Sequence, residues 1–238
     1  MTKQFSTTFG VLSVLAFGMS GCGGGGKSAE KPTEKSVAAG QKSAPVPSKA
    51  AAAMTLNLSQ GPDVCFKAIV KHLGADTKVS EMTSFFSSGP DLEGGSSSEP
   101  EGTLTTCKAD YQSPADPRKL VSTSMDTKTG VFSEPQPMEI TVMGDAASFR
   151  LEDHLIPLSQ VDASALTGVM EAEKPKLSGV YSRYVWSGVR LMGPGAFSNT
   201  HTLRLDLEGR LAANDIKNSG YASVSVDGKK ITKNLLLP

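Results

Sequence analysis

The chain has 238 residues, a mass of 24.9 kDa and equal numbers of basic and acidic residues, 24 of each. This balance excludes a polybasic field of the kind that holds a nucleic acid, so we expect no nucleic-acid partner. Three cysteines are too few for a disulfide-dense mini-protein or for a zinc site with four thiolate ligands.

Residues 1–21 have the pattern of a secretory signal peptide. Lys3 supplies a positive charge near the start, and residues 9–17 form an apolar run. A helix of that length spans only about half of the hydrocarbon core of a bilayer. We therefore expect a segment that directs secretion and is removed, and not a permanent transmembrane helix.

The residues before Cys22 carry a more specific signal. They read Gly-Met-Ser-Gly at positions 18–21, which resembles the lipobox of bacterial prolipoproteins. The resemblance implies transfer of a diacylglyceryl group to the Cys22 thiol, cleavage before that residue and acylation of the new amino terminus. The glycine at position 23 implies, by the same resemblance, anchoring in the outer membrane. We expect the folded domain in the periplasm, and the alternative is exposure at the cell surface. The alternative is an ordinary signal peptide that leaves Cys22 as a free thiol.

Residues 22–53 predict a lipidated cysteine followed by a flexible tether. Gly, Ala, Ser and Pro supply 20 of the 31 residues at 23–53, and no aromatic residue, Leu or Ile is present there. Such a segment cannot bury enough apolar surface to fold, and as a random coil it reaches about 30 Å. Residues 21–28 match the letters of a phosphate-binding loop, but neither a strand nor a helix is predicted beside them, so we expect no nucleotide.

Residues 54–238 predict an α+β domain, in which an antiparallel sheet with a C-terminal meander packs against one or two helices. A proline and an acidic residue precede Val64–Leu73 and a glycine follows it, which is the pattern of a complete helix. A second helix is expected over residues 162–174, with Pro175 ending it.

Strand signals occupy most of the remaining sequence of this domain. Leu203, Leu205 and Leu207 alternate with charged residues, which is the period of a strand with one buried face. Turn signals between residues 180 and 235 divide this region into a meander of about five strands. Earlier strands are expected at 79–86, 103–111, 120–126 and 138–143. The acidic segment 87–102 predicts a long, mobile loop between two strands.

The two cysteines of the predicted domain, Cys65 and Cys107, are an even pair once Cys22 is acylated. In an oxidising compartment such a pair favours a disulfide. We expect this bond to tie the first helix to a strand. The alternative is a pair of buried free thiols.

The sequence offers no catalytic or metal-binding motif. His72, His154 and His201 lie far apart, and none has the spacing of a pair of metal ligands. Residues 152–154, Glu-Asp-His, form the densest ionisable cluster, although neighbours in sequence need not face one site. We therefore predict no metal, no cofactor and no catalytic residue, and we expect a binding protein rather than an enzyme.

The best binding candidate is the strand expected over residues 180–191. Strict alternation places Tyr184, Trp186 and Arg190 on one of its faces. These residue types concentrate binding energy when they are partly exposed, and such a platform suits a sugar or a peptide. The alternative is that Tyr184 and Trp186 face the helices and form part of the core.

Together these features predict a lipid-anchored protein of the cell envelope, whose domain acts as an adaptor for another envelope component, a protein or a glycan. A second hypothesis is an envelope hydrolase that acts on cell-wall or lipid material, with a concave site around His154 or His201. A third is a small-ligand carrier or an inhibitor, which requires a deep apolar pocket or a protruding loop such as 87–102.

Overall fold

The fold is described from a computed structural model that covers residues 55–95, 98–142, 145–195 and 198–238. These residues all belong to one compact unit, Lys49–Pro238. The expected signal peptide, the lipidated Cys22 and the tether of residues 22–53 lie outside the described residues. None of the helices in the ranges given above has both the length and the apolar character needed to cross a membrane.

An antiparallel sheet organises the described residues. In chain order its strands are β1 (Lys78–Phe86), β2 (Leu104–Gln112), β3 (Leu120–Ser124), β4 (Gln136–Met138), β5 (Ile156–Pro157), β6 (Tyr181–Met192), β7 (Thr202–Leu211), β8 (Lys217–Ser225) and β9 (Ile231–Leu235). Across the sheet they lie in the order β4-β3-β2-β1-β6-β7-β8-β9, and β5 pairs with β1. The C-terminal meander thus has four strands instead of about five, because residues 208 and 209 continue β7 and do not form a turn.

The first helix, α1, spans Val64–Leu73, as the sequence predicted. Gly74 ends it, and the Gly74 amide donates a hydrogen bond of 2.9 Å to the Val70 carbonyl. Cys65 and Ile69 lie one turn apart and are both fully buried. The apolar stripe of α1 therefore faces the sheet.

The second long helix, α3, differs from its prediction at both ends. It spans Leu166–Ser178 and continues through Pro175, which was expected to end it. The Asp162 side chain instead caps a separate 3-10 turn over Ala163–Ala165. Proline inside a helix costs about 3 kcal/mol or more, and burial of a leucine returns about 1.5–3 kcal/mol. The last turn of α3 supplies that burial, because Leu177 is 0% exposed.

The hydrophobic core lies between the two long helices and one face of the sheet. Leu203, Leu205 and Leu207 are each at most 1% exposed, and they share a core with Ile69 of α1 and Leu177 of α3. The domain is therefore mainly an antiparallel sheet with a few short helices. That composition is compatible with the predicted α+β class.

Cys65 of α1 and Cys107 of β2 form a disulfide inside this core, with their Cα atoms 5.5 Å apart. Both residues are at most 1% exposed. The predicted bond between the first helix and a strand is confirmed, and the alternative of two free thiols is not what the structure contains.

The acidic segment 87–102 lies between β1 and β2, and part of it is helical. A one-turn helix, α2, spans Pro90–Glu93, and its Leu92 side chain is 1% exposed. Where the two ends of the segment meet, the Gly102 amide donates a 2.8 Å hydrogen bond to the Ser87 carbonyl. The described part of the segment is therefore held against the body of the domain.

Candidate binding site

A bulge of one residue in β6 decides which side chains reach each face of the sheet. Trp186 lies opposite Leu207 of β7 and Gly188 lies opposite Asp206, so Ser187 is an extra residue between two paired positions. Side chains alternate between the two faces of a strand, so an extra residue moves every later side chain to the other face.

The predicted platform of Tyr184, Trp186 and Arg190 is divided by this bulge, and the prediction that the three share a face is wrong. Trp186 lies on the face that the helices cover, belongs to the core and is 8% exposed. The Tyr184 ring meets the indole edge-on, with 6.1 Å between the centroids. Both residues line a depression of about 300 Å³. Arg190 lies on the opposite face.

The face opposite α1 and α3, here called the open face, gathers side chains from four neighbouring strands. One row of residues runs across β1, β6, β7 and β8, each opposite the next: Phe85, Gly188, Asp206 and Tyr221. In the adjacent row Arg190 of β6 lies opposite Arg204 of β7. Two aromatic rings, two guanidinium groups and a carboxylate thus lie close together on a rigid sheet.

The Phe85 ring lies over Gly188. A Cβ atom at position 188 would stand 2.7 Å from Phe85 Cδ1 and 3.0 Å from Cε1, so only glycine leaves room for the ring in this position. The Arg190 guanidinium carbon is 5.5 Å from the ring centroid. Although it lies on the sheet, the Phe85 side chain remains 37% exposed.

Asp206 connects the two arginines of the open face. Its carboxylate accepts hydrogen bonds from Arg190 Nε at 2.9 Å, Arg190 Nη2 at 3.0 Å and Arg204 Nε at 2.7 Å. The Arg204 guanidinium also lies over the Tyr221 ring, 3.7 Å from its centroid. A hydrogen bond from Lys233 lowers the pKa of the Tyr221 hydroxyl. These contacts hold the polar side chains in one arrangement.

A groove of about 360 Å³ lies beside this cluster. The residues that line it include Phe85 and Arg190 of the sheet and, from the segment around α2, Ser88 and Glu93. Ser88 Oγ donates a 3.0 Å hydrogen bond to Glu208, and the Ser88 amide donates one of 3.3 Å to Glu93. We call this feature the open-face groove.

Arg183 forms two ion pairs beside α2, the short helix next to the groove. Arg183 of β6 pairs with Asp91 of α2 and, at 2.7 Å, with Glu101 near the start of β2. The hydrogen bonds that Arg183 donates to Glu101 and Asp91 raise its pKa. Exposed pairs of this kind contribute about 0–1 kcal/mol each, so the buried Leu92 is the stronger attachment of α2 to the sheet.

The histidines make structural contacts. His201 Nε2 lies 3.1 Å from the backbone oxygen of His154, and burial lowers the pKa of His201. The His72 ring stacks on Phe132 with 4.2 Å between centroids. Within the part of the chain that the structure describes, no group of three or more His, Cys, Asp or Glu residues is placed to hold a metal ion. These contacts give the hydrolase hypothesis no support.

Of the residues that form the open-face groove, sequence reasoning singled out only Arg190. One available signal was the pair Phe85 and Phe86, because consecutive residues of a strand point to opposite faces and one of the two must leave the core. The roles of Asp206 and Tyr221 become visible only once β7 and β8 are placed beside β6.

Comparison of the chain with models of known protein families, with curated proteins and with solved structures finds no match in any of the three. The chemistry of the open-face groove is therefore the most direct guide to function.

Proposed function

We propose that this protein is a lipid-anchored component of the bacterial outer membrane, whose periplasmic domain binds another envelope component through the open-face groove. The observation that carries the proposal is the Phe85 ring, exposed on a sheet face and lying over Gly188 beside the Arg190–Asp206 ion pair.

A binding role follows from how these groups are held. Immobilising a side chain on binding costs about 0.5–1.5 kcal/mol, and a site whose side chains are already fixed avoids most of that cost. Asp206 holds Arg190 and Arg204, and Arg204 lies over Tyr221. Aromatic residues and arginine are also the types that concentrate binding energy in interfaces.

Binding is favoured over catalysis by the chemistry of the same groups. A general base has to take up a proton from its substrate, whereas a hydrogen-bond acceptor in a binding site only shares one. The Asp206 carboxylate instead accepts three hydrogen bonds from two guanidinium groups, and Glu208 accepts from Ser88 and pairs with Lys217 at 2.8 Å. Both carboxylates already have partners that keep them in place.

The amino-terminal signals support the envelope part of the proposal. Acylation of Cys22 would anchor the chain firmly, since each buried CH₂ contributes about 0.8 kcal/mol. A tether over residues 22–53 would then let the domain meet a partner within about 30 Å of the membrane. Anchoring raises the effective concentration of the domain near such a partner, which is how an adaptor gains from a lipid.

The proposal is tested by photo-crosslinking in living cells. A photo-reactive phenylalanine analogue is placed at position 85 of the full-length chain, and at Val131 in a control. Val131 is apolar and 65% exposed, and it does not line the groove. We expect an adduct of defined mass from position 85, and much less from position 131.

A Cys22→Ser version of the same protein shows whether anchoring matters, and its yield of the position-85 adduct should fall. If position 85 gives no adduct, or if positions 85 and 131 give the same adducts in equal yield, the open face is not the binding surface.

A further inference from the structure

We infer that the open-face groove binds an uncharged saccharide, one ring of which stacks on Phe85. This inference rests on the proposed function and specifies the ligand of the same site. Three features of the groove support it: the way Phe85 is presented, the pairing of its charges, and the mixture of hydrogen-bond donors and acceptors.

The first feature is a flat platform. Phe85 lies over Gly188 on the open face and is 37% exposed, with the Arg190 guanidinium carbon 5.5 Å from the ring centroid. A pyranose ring has a face of C–H groups that carry partial positive charge, and the face of an aromatic ring is negative. The two faces attract, and both lose apolar surface to water on contact.

The second feature is that the charged side chains lining the groove are engaged by neighbours. Arg190 and Arg204 bind Asp206, Glu208 binds Lys217, and Glu93 accepts from the Ser88 amide. A charged ligand would have to compete with these existing partners, and a group that lost its partner would be left without that counter-charge. An uncharged ligand avoids that cost.

The third feature is that donors and acceptors both face the groove. Arg190 and Arg204 are donors only, Asp206 and Glu208 are acceptors, and Ser88 is both. A sugar hydroxyl donates and accepts at once, so neighbouring hydroxyls can bind an arginine and a carboxylate without disturbing the pair between them. The volume of about 360 Å³ lies within the usual range for small-ligand sites.

The row of residues across the sheet also suggests a direction for a longer ligand. Phe85 and Tyr221 are three strands apart in one row, which corresponds to about 14 Å at the usual spacing of about 4.8 Å between strands. An oligosaccharide that crosses the strands can therefore touch both aromatic residues, whereas a single sugar reaches only one.

Calorimetric titration of the full-length protein tests this inference, in a detergent without a sugar headgroup. The probes are four neutral tetrasaccharides (chitotetraose, cellotetraose, maltotetraose and mannotetraose) and one charged tetrasaccharide, tetragalacturonate. We expect at least one neutral probe to bind, and Phe85→Ala to weaken that binding at least tenfold. Phe85→Trp should retain it, because an indole ring also offers a stacking face.

Gly188→Ala is the second informative variant, because its Cβ would stand 2.7 Å from the Phe85 ring and force it to move. We expect it to weaken saccharide binding while Phe85 itself remains present. Val131→Ala is the matched control and should leave the affinity unchanged. Thermal unfolding of each variant, followed by circular dichroism, confirms that the proteins compared are folded.

The outcomes separate this inference from the proposed function. If none of the five probes binds, if only tetragalacturonate binds, or if binding survives Phe85→Ala, the inference is overturned. A protein adduct at position 85 without saccharide binding would overturn it too, but would leave the proposed binding function standing. The absence of any adduct at position 85 would count against the proposed function itself.

Discussion

Arg190 and Asp206 form a two-point ion pair across neighbouring strands of the open face, with Nε–Oδ2 and Nη2–Oδ1 distances of 2.9 and 3.0 Å. Asp206 also binds Arg204, so one carboxylate bridges two guanidinium groups and the three groups together keep one net positive charge. The Asp206 side chain is only 12% exposed, and the two arginine side chains are 24% and 31% exposed. Water therefore screens this cluster less than it screens an ordinary surface pair.

Replacing Asp206 should destabilise the domain for that reason. Asp206→Asn leaves two arginines side by side without a balancing charge, and we expect the free energy of unfolding to fall by about 1–3 kcal/mol. Urea denaturation monitored by circular dichroism measures the change. Asp116→Asn is a suitable control, because it removes a carboxylate that pairs with the 85% exposed Arg118 side chain. Equal effects of the two variants would show that the Asp206 cluster is an ordinary surface network.

The disulfide gives a second prediction. Cys65 and Cys107 are 42 residues apart in sequence, and closing a loop of that length should stabilise the fold by about 4 kcal/mol. We expect a reductant, or the double substitution Cys65→Ala and Cys107→Ala, to lower the urea midpoint by a corresponding amount. Thiol titration of the denatured protein provides the independent check. If the cysteines titrate equally with and without prior reduction, no bond was present.

His201 predicts a specific dependence of stability on pH. Burial lowers its pKa in the folded state below the ordinary value near 6.5, so the unfolded chain binds the proton more readily. Above pH 6.5 the contribution of neutral His201 to the free energy of unfolding is fully present. This contribution is lost as the pH falls below 6.5 toward the lower pKa of the folded state. His201→Gln should remove this part of the pH dependence.

Urea midpoints of both proteins between pH 7.5 and 5.5 measure the difference. In this interval the wild-type midpoint should fall more steeply than that of His201→Gln, in which position 201 no longer titrates. Parallel curves would mean that His201 is protonated as readily in the folded protein as in the unfolded chain. Carboxylates titrate mostly below this interval, so they contribute little to the comparison.

Lipidation of Cys22 is a prediction from sequence alone. Cells grown with an alkyne-labelled fatty acid should attach the label to the full-length protein, and Cys22→Ser should abolish both the label and the recovery in the membrane fraction. Cys65→Ser is the matched control, because it also removes a cysteine but leaves the lipobox intact. Label on the Cys22→Ser protein, or a lower amount of label per molecule of recovered Cys65→Ser protein, would contradict the assignment.

Several elements of the fold could be predicted because their signals are local. Helix α1 follows from the residues at its two ends and from the spacing of Cys65 and Ile69 along one stripe. The alternation of Leu203, Leu205 and Leu207 places one face of β7 in the core without reference to any neighbour. For α3 the local stop signal at Pro175 did not end the helix, which continues to Ser178 and buries Leu177 in the core.

The candidate site was harder to predict, because its residues come from strands that are distant in sequence. Trp186 and Arg190 are four residues apart, and strict alternation puts them on one face; the extra residue Ser187 separates them. A bulge depends on how β6 pairs with β7, and a single strand gives no sign of it. The same pairing brings Phe85 over Gly188, although 103 positions of sequence separate them.

By itself the sequence therefore determined the helix α1, the pairing of Cys65 with Cys107 and the buried face of β7, because periodicity, end signals and the count of cysteines need no knowledge of the strand pairing. Only the tertiary structure decided which side chains share the open face. That choice depends on strand register, which is set by the packing of the whole sheet against α1 and α3.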